Sequence, residues 1–119
     1  MFFNKRELED IHYTCSMIKY ISEETSNKPS DIVRYLAPYG IKWLLENASS
    51  CHCLDFELMS ERLIDKFGIK KGHAEQRKRI LSYIDTGEIY KVIAVGLSYD
   101  YHLPIVKAIQ EAFSFDCPV

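Results

Sequence analysis

The sequence predicts a mainly α-helical single domain over residues 1–119, a bundle of about six helices. Two observations carry this. Apolar residues recur at spacings of three and four in several segments, the period of one helix face. Short polar residues and glycines bracket those segments as starts and stops. A chain of 119 residues is one domain and buries enough surface to need no staples.

The first helix spans Lys5 to Thr25, with Leu8, Ile11, Cys15 and Ile18 on one face. Glu7, Glu9 and Asp10 stand near its start, where the helix dipole favours negative charge. His12 and Cys15 lie three apart on that face, either as metal ligands or as a half-buried histidine beside a core thiol.

Asn27 to Asp31 combines a loop with a helix start, because Pro29 cannot sit inside a helix. Ile32, Val33 and Leu36 make a short second helix, and Ala37-Pro38-Tyr39-Gly40 breaks it. The third helix runs from Ile41 to Glu46 and ends at Asn47. A long helix followed by two short ones hints at a helix-turn-helix. Arg34, Lys42 and Asn47 are a sparse set for reading base edges.

Ala48 to Leu54 reads as a packed loop. Cys51-His52-Cys53 offers zinc-type ligands, but a one-residue gap between cysteines is a poor chelate and no second pair follows. The fourth helix is the cleanest. Phe56, Met59, Leu63 and Phe67 repeat at helical spacing between a capping Asp55 and a terminating Gly68. Its polar side carries Glu57, Glu61 and Asp65 four apart, an acidic ridge that Arg62 and Lys66 partly relieve.

Ile69 to Arg79 reads as a linker with a basic patch of Lys70, Lys71, Arg77, Lys78 and Arg79. Residues 80–95 admit two readings. Their β-branched content allows a short β-hairpin around Gly87. Asp85-Thr86-Gly87-Glu88 resembles a capping box instead, and Ile89, Val92, Ile93 and Leu97 keep helical spacing. The second pattern predicts a helix from Thr86 to Leu97 with a short extended piece before it. Ser98 to His102 is a Tyr-rich loop, and Pro104 opens a last helix with Ile105, Val106, Ile109 and Phe113 inward.

No run of eighteen apolar residues is present, and the N-terminus turns charged within five residues. A cytoplasmic protein without membrane contact is expected, with Cys15, Cys51, Cys53 and Cys117 reduced. A net charge of -2 lacks the basic footprint of a sequence-independent nucleic-acid binder.

Glu46-Asn47-Ala48-Ser49-Ser50-Cys51-His52-Cys53, followed by an acidic helix, resembles a Glu-Asn-Tyr-x-x-Leu-His-Thr segment. That segment belongs to a domain-of-unknown-function family of short bacterial proteins. Ala48, Cys51 and Cys53 depart from the family's Tyr, Leu and Thr. Asp85-Thr86-Gly87-Glu88-Ile89-Tyr90-Lys91 is similar to an Asp-Ile-Gly-Lys-Val-Tyr-Lys segment of longer relatives. Members are often encoded beside toxins with an ADP-ribosyltransferase-like fold. The resemblance implies an antitoxin or immunity role, in which the chain binds and silences a partner protein.

The expected function is therefore non-enzymatic protein–protein contact, with no catalytic residue, no metal and no cofactor. Candidate contact residues are Trp43 if exposed, the ridge of Glu57, Glu61 and Asp65, and Tyr99 and Tyr101. The alternative is a nucleic-acid-binding regulator using Lys70, Lys71, Arg77, Lys78 and Arg79. A third class, a metal-dependent enzyme or sensor, would draw on His12, Cys15, Cys51, His52 and Cys53.

Overall fold

Four of the other helices pack around the first, α1 (Lys5–Thr25), and its start shows why it forms there. The Asn4 side chain accepts from the Glu7 N–H at 2.8 Å, and Glu7 Oε1 accepts from the Asn4 N–H at 3.0 Å. This reciprocal box satisfies two donors that a helix start leaves open. Ile11, Cys15, Ile18, Ile21 and Ser22 then line a buried face. Ser26 ends the helix in the left-handed conformation, donating its N–H to the Ser22 carbonyl.

The computed structural model describes residues 3–51, 55–74 and 81–114. After α1 come α2 (Pro29–Leu36), α3 (Tyr39–Cys51), α4 (Phe56–Phe67), α5 (Tyr83–Tyr101) and α6 (Ile105–Ala112). Among the described residues there is no strand, and the helical bundle is the fold. Pro29 opens α2 at a position whose N–H has no helical partner in any case. Asp55 Oδ1 caps α4 by accepting from the Leu58 N–H at 2.7 Å, and Gly68, at φ 61°, closes it.

The partners of α1 are chiefly α5, then α3, α2 and α4, while α6 packs on α5. Ile11, Met17, Ile18, Ile21, Ile32, Leu36, Ile41, Leu44, Leu63, Tyr90, Ile109 and Phe113 are the large buried side chains of one core. Tyr90 of α5 stacks on Phe113 after α6, with ring centroids 3.9 Å apart. Where α1 and α5 approach most closely, Gly87 faces Ser16. A Cβ there would lie 2.8 Å from the Ser16 backbone N and Cα, so only glycine fits.

Four expected helix boundaries move, two on α5 and two on α3. The hairpin alternative over 80–95 does not form, because residues 83–95 are continuous helix. The cap of α5 is Ser82, whose Oγ accepts from the Asp85 N–H at 3.1 Å, so α5 starts three residues before Thr86. Burial of Tyr90 and Ala94 against the core outweighs the weak strand preference of the β-branched residues around them. Downstream, α5 continues through the expected Tyr-rich loop to Tyr101.

Likewise α3 begins at Tyr39 and passes Asn47 to reach Cys51. Asn47 does not stop it, because its side chain donates to the Trp43 carbonyl at 2.8 Å, one turn back. The expected linker at 69–74 is tied to the end of α1. Gly72 N–H donates to Thr25 O at 2.7 Å, Ala74 N–H to Ser26 O at 2.8 Å, and Asn27 Nδ2 to Lys70 O at 2.8 Å.

Candidate protein-interaction surface

The largest departure from a simple core-and-skin pattern is α5, which is apolar on two opposite sides. Gly87, Tyr90, Ala94 and Ser98 turn inward and are buried. Ile84 is exposed near the helix start, half a turn round from Ile93, while Val92 and Ile93 face outward, with Val92 60% exposed. Ile89 and Gly96 lie between them on that outer side and are half-buried. A Cβ on Gly96 would meet no atom within 4 Å, so that backbone lies open to the outside.

Tyr99 and Tyr101, two of the candidate contact residues, stand at the C-terminal end of α5. Tyr101 is 68% exposed. Tyr99 is held more closely: its hydroxyl accepts from the Phe3 N–H at 3.2 Å, and its ring meets Phe3 edge-on at 5.9 Å.

Trp43 is half-buried, not free, and packs against the core. Lys66 lies over it, with Nζ 5.0 Å from the Trp43 ring, 5.5 Å from Tyr39 and 5.8 Å from Phe67. Gly40 gives Phe67 its place, since a Cβ there would sit 2.9 Å from the ring tip. The site therefore holds its own cation. Of its rings, Tyr39 is the one left mostly exposed.

Glu57, Glu61 and Asp65 are all exposed on α4, as the four-residue spacing requires. Near their N-terminal end, Phe56 meets Tyr13, Tyr20 and Tyr83 with centroids 5.0 to 5.7 Å apart. Burial, then the Glu24 and Glu57 carboxylates, push the Tyr20 phenol above its ordinary value.

Lys70 and Lys71 are exposed, while Arg77, Lys78 and Arg79 lie outside the described residues. So do His52 and Cys53, and the description of Cys51 stops at its backbone. His12 is a clasp between helices. Its Nε2 is 2.9 Å from the Ile84 carbonyl, which makes that nitrogen the donor. Its Nδ1 faces Glu88 Oε2 at 3.6 Å, and Lys91 Nζ holds the other Glu88 oxygen at 2.6 Å. Cys15 is fully buried, and burial pushes its thiol far above the usual range, which makes it an inert core residue. Among the described residues no three His, Cys, Asp or Glu side chains are grouped to hold a metal ion.

An open groove of about 570 Å³ runs between α1 and α3, lined by Lys5, Arg6, Glu9, Asp10 and Ser49. Arg6 places Nε and Nη2 at 3.2 and 3.1 Å from Ser49 Oγ. The groove mixes both charge signs. Among the described residues no helix is long and apolar enough to cross a membrane.

No family model, no curated protein and no solved structure matches this chain. Sequence reasoning missed Ile84, Val92 and Ile93 as surface residues. The signal was present, because apolar residues fall on all sides of 83–101, but periodicity does not say which side is covered.

Proposed function

We propose that this chain is a non-enzymatic protein–protein interaction module that binds and silences a partner, in the manner of an antitoxin or immunity protein. The observation that carries the reading is the apolar and aromatic surface collected on one helix. Ile84, Val92, Ile93, Tyr99 and Tyr101 of α5 are all exposed. Val92, Ile93 and Tyr99 share one side of the helix, while Ile84 and Tyr101 stand on other sides near its two ends. Exposed large apolar side chains are the material of protein interfaces, and Tyr is prominent among interface anchors.

The family resemblance supplies the class of partner, an ADP-ribosyltransferase-like toxin met in the cytoplasm. Silencing would work by occluding its active site or substrate cleft. Tyr101 and the α5 side chains would provide most of the binding energy. The exposed Glu57, Glu61 and Asp65 would steer a basic partner and raise the on-rate. The test is co-expression with the product of the neighbouring gene. Co-purification together with relief of toxicity is expected. Separate elution with toxicity unchanged refutes the reading.

A further inference from the structure

Resting on that reading, we propose that the outer face of α5 seats an amphipathic helix of the partner protein, apolar along its centre and cationic near both ends. Asp85, Ile89, Val92, Gly96 and Tyr99 are separated by four, three, four and three residues. That alternation keeps one straight seam on a helix and is the pattern into which a second helix packs. Ile93 and Asp100 flank the seam on one side. All seven residues are exposed or half-buried; Phe3 meets the seam at its Tyr99 end, and Ile89, Val92 and Gly96 between the ends keep open surface among the described residues.

Gly96 adds a second argument. Gly87, on the opposite side of α5, has a reason inside the molecule, the Ser16 backbone. Gly96 has none, since a Cβ there meets open space. A glycine inside a helix is unfavourable relative to alanine. One on an exposed apolar seam lets another backbone come close.

Charge decides the occupant. Asp85 and Asp100 stand at the two ends of the apolar stretch, about 22 Å apart along the axis. Both are exposed, and among the described residues neither makes an ion pair. A second copy of this chain fits badly. Antiparallel pairing about the point between Val92 and Ile93 sets Asp85 against the partner copy's Asp100 position, and parallel pairing sets like against like. A helix with Lys or Arg near both ends and leucine-like residues between them matches both features. It would pair the two carboxylates while burying Ile89, Val92 and Ile93.

The test uses the full chain and a fluorescein-labelled synthetic helix. The peptide carries leucines at alternating spacings of three and four and lysines positioned to meet Asp85 and Asp100. Saturable binding by anisotropy is expected. Val92→Lys should weaken it about tenfold or more, with unchanged circular dichroism, because Val92 has little to lose inside the fold. Asp85→Asn with Asp100→Asn should weaken it and flatten its salt dependence. The proposal is overturned by absent saturation, by equal binding to Val92→Lys, or by equal binding of a glutamate-ended peptide. A dimer that Val92→Lys dissociates in sedimentation also overturns it, because the occupant is then a second copy. A neighbouring-gene product that still co-purifies with Val92→Lys removes this face and leaves the interaction reading standing. Peptide binding without capture of that product removes the toxin reading and leaves the face.

Discussion

The two glycines of α5 allow a sharp comparison, because one substitution has opposite consequences at the two sites. Replacing either with alanine removes the same backbone freedom and favours helix by about 1 kcal/mol. At Gly96 the new methyl group meets nothing within 4 Å, so the gain is realised in full. At Gly87 it would lie 2.8 Å from Ser16 N and Cα. Those are backbone atoms of α1, which cannot swing aside as a side chain can, so α1 and α5 must separate. Forcing a methyl group into a closed contact costs about 1–3 kcal/mol. Subtracting one variant from the other cancels the shared helix preference and leaves that cost. For a chain of this length, it corresponds to midpoints roughly 4 to 12 °C apart, with Gly96→Ala the higher. Thermal melts and urea titrations followed by circular dichroism would read it. If the two variants agree to within about 0.5 kcal/mol, the close α1–α5 contact is wrong.

Cys15 gives a pH prediction. Burial raises its folded-state value above the ordinary 9.0, so the unfolded chain loses the thiol proton first as pH rises. Its contribution is therefore constant below pH 9.0 and falls above it, by about 1.4 kcal/mol per pH unit for one group. Urea titrations across that range should show a slope in the wild type that Cys15→Ala reduces by that amount, and identical slopes would count against a buried thiol. Lys66→Ala should cost about 0.5–1 kcal/mol and shift the emission of Trp43, the sole tryptophan, because the ammonium over its ring is lost. An unchanged midpoint and an unchanged spectrum together would show that Lys66 points into solvent.

What was legible in the sequence follows from how local each cause is. The ends of α4 were readable because Asp55 and Gly68 act on their own neighbours, and the capped, left-handed geometry is found at those two residues. The Asp85–Glu88 box was misread for a local reason too: Ser82 caps first, which places Asp85 in the first turn, where its charge still suits the helix dipole. Asn47 looked like a stop and is a helix-interior residue, since its side chain turns back to the Trp43 carbonyl. The state of Trp43 was beyond any local rule. It depends on Lys66, twenty-three residues away on another helix, lying across its ring.

The exposed side of α5 was hidden for a deeper reason. In a six-helix bundle the composition that is apolar all round belongs to a central helix. Here the central position goes to α1, which touches α2, α3, α4 and α5. Yet α1 reaches it with a polar side, carrying Lys5, Arg6, Glu9 and Glu24 exposed. By contrast α5 lies at the edge, covered by α1 on one side and by α6 along part of another, and still carries a core helix's residues. Val92, 60% exposed, adds little burial to the fold, and a polar helix former would serve that position as well. The presence of Val92 and Ile93 at helix-pairing intervals, with the fold already closed on the opposite side by Tyr90 and Ala94, makes sense if α5 is peripheral only while the chain is alone. In the complex it would be the middle of three layers, with α1 on one side and the partner's helix on the other.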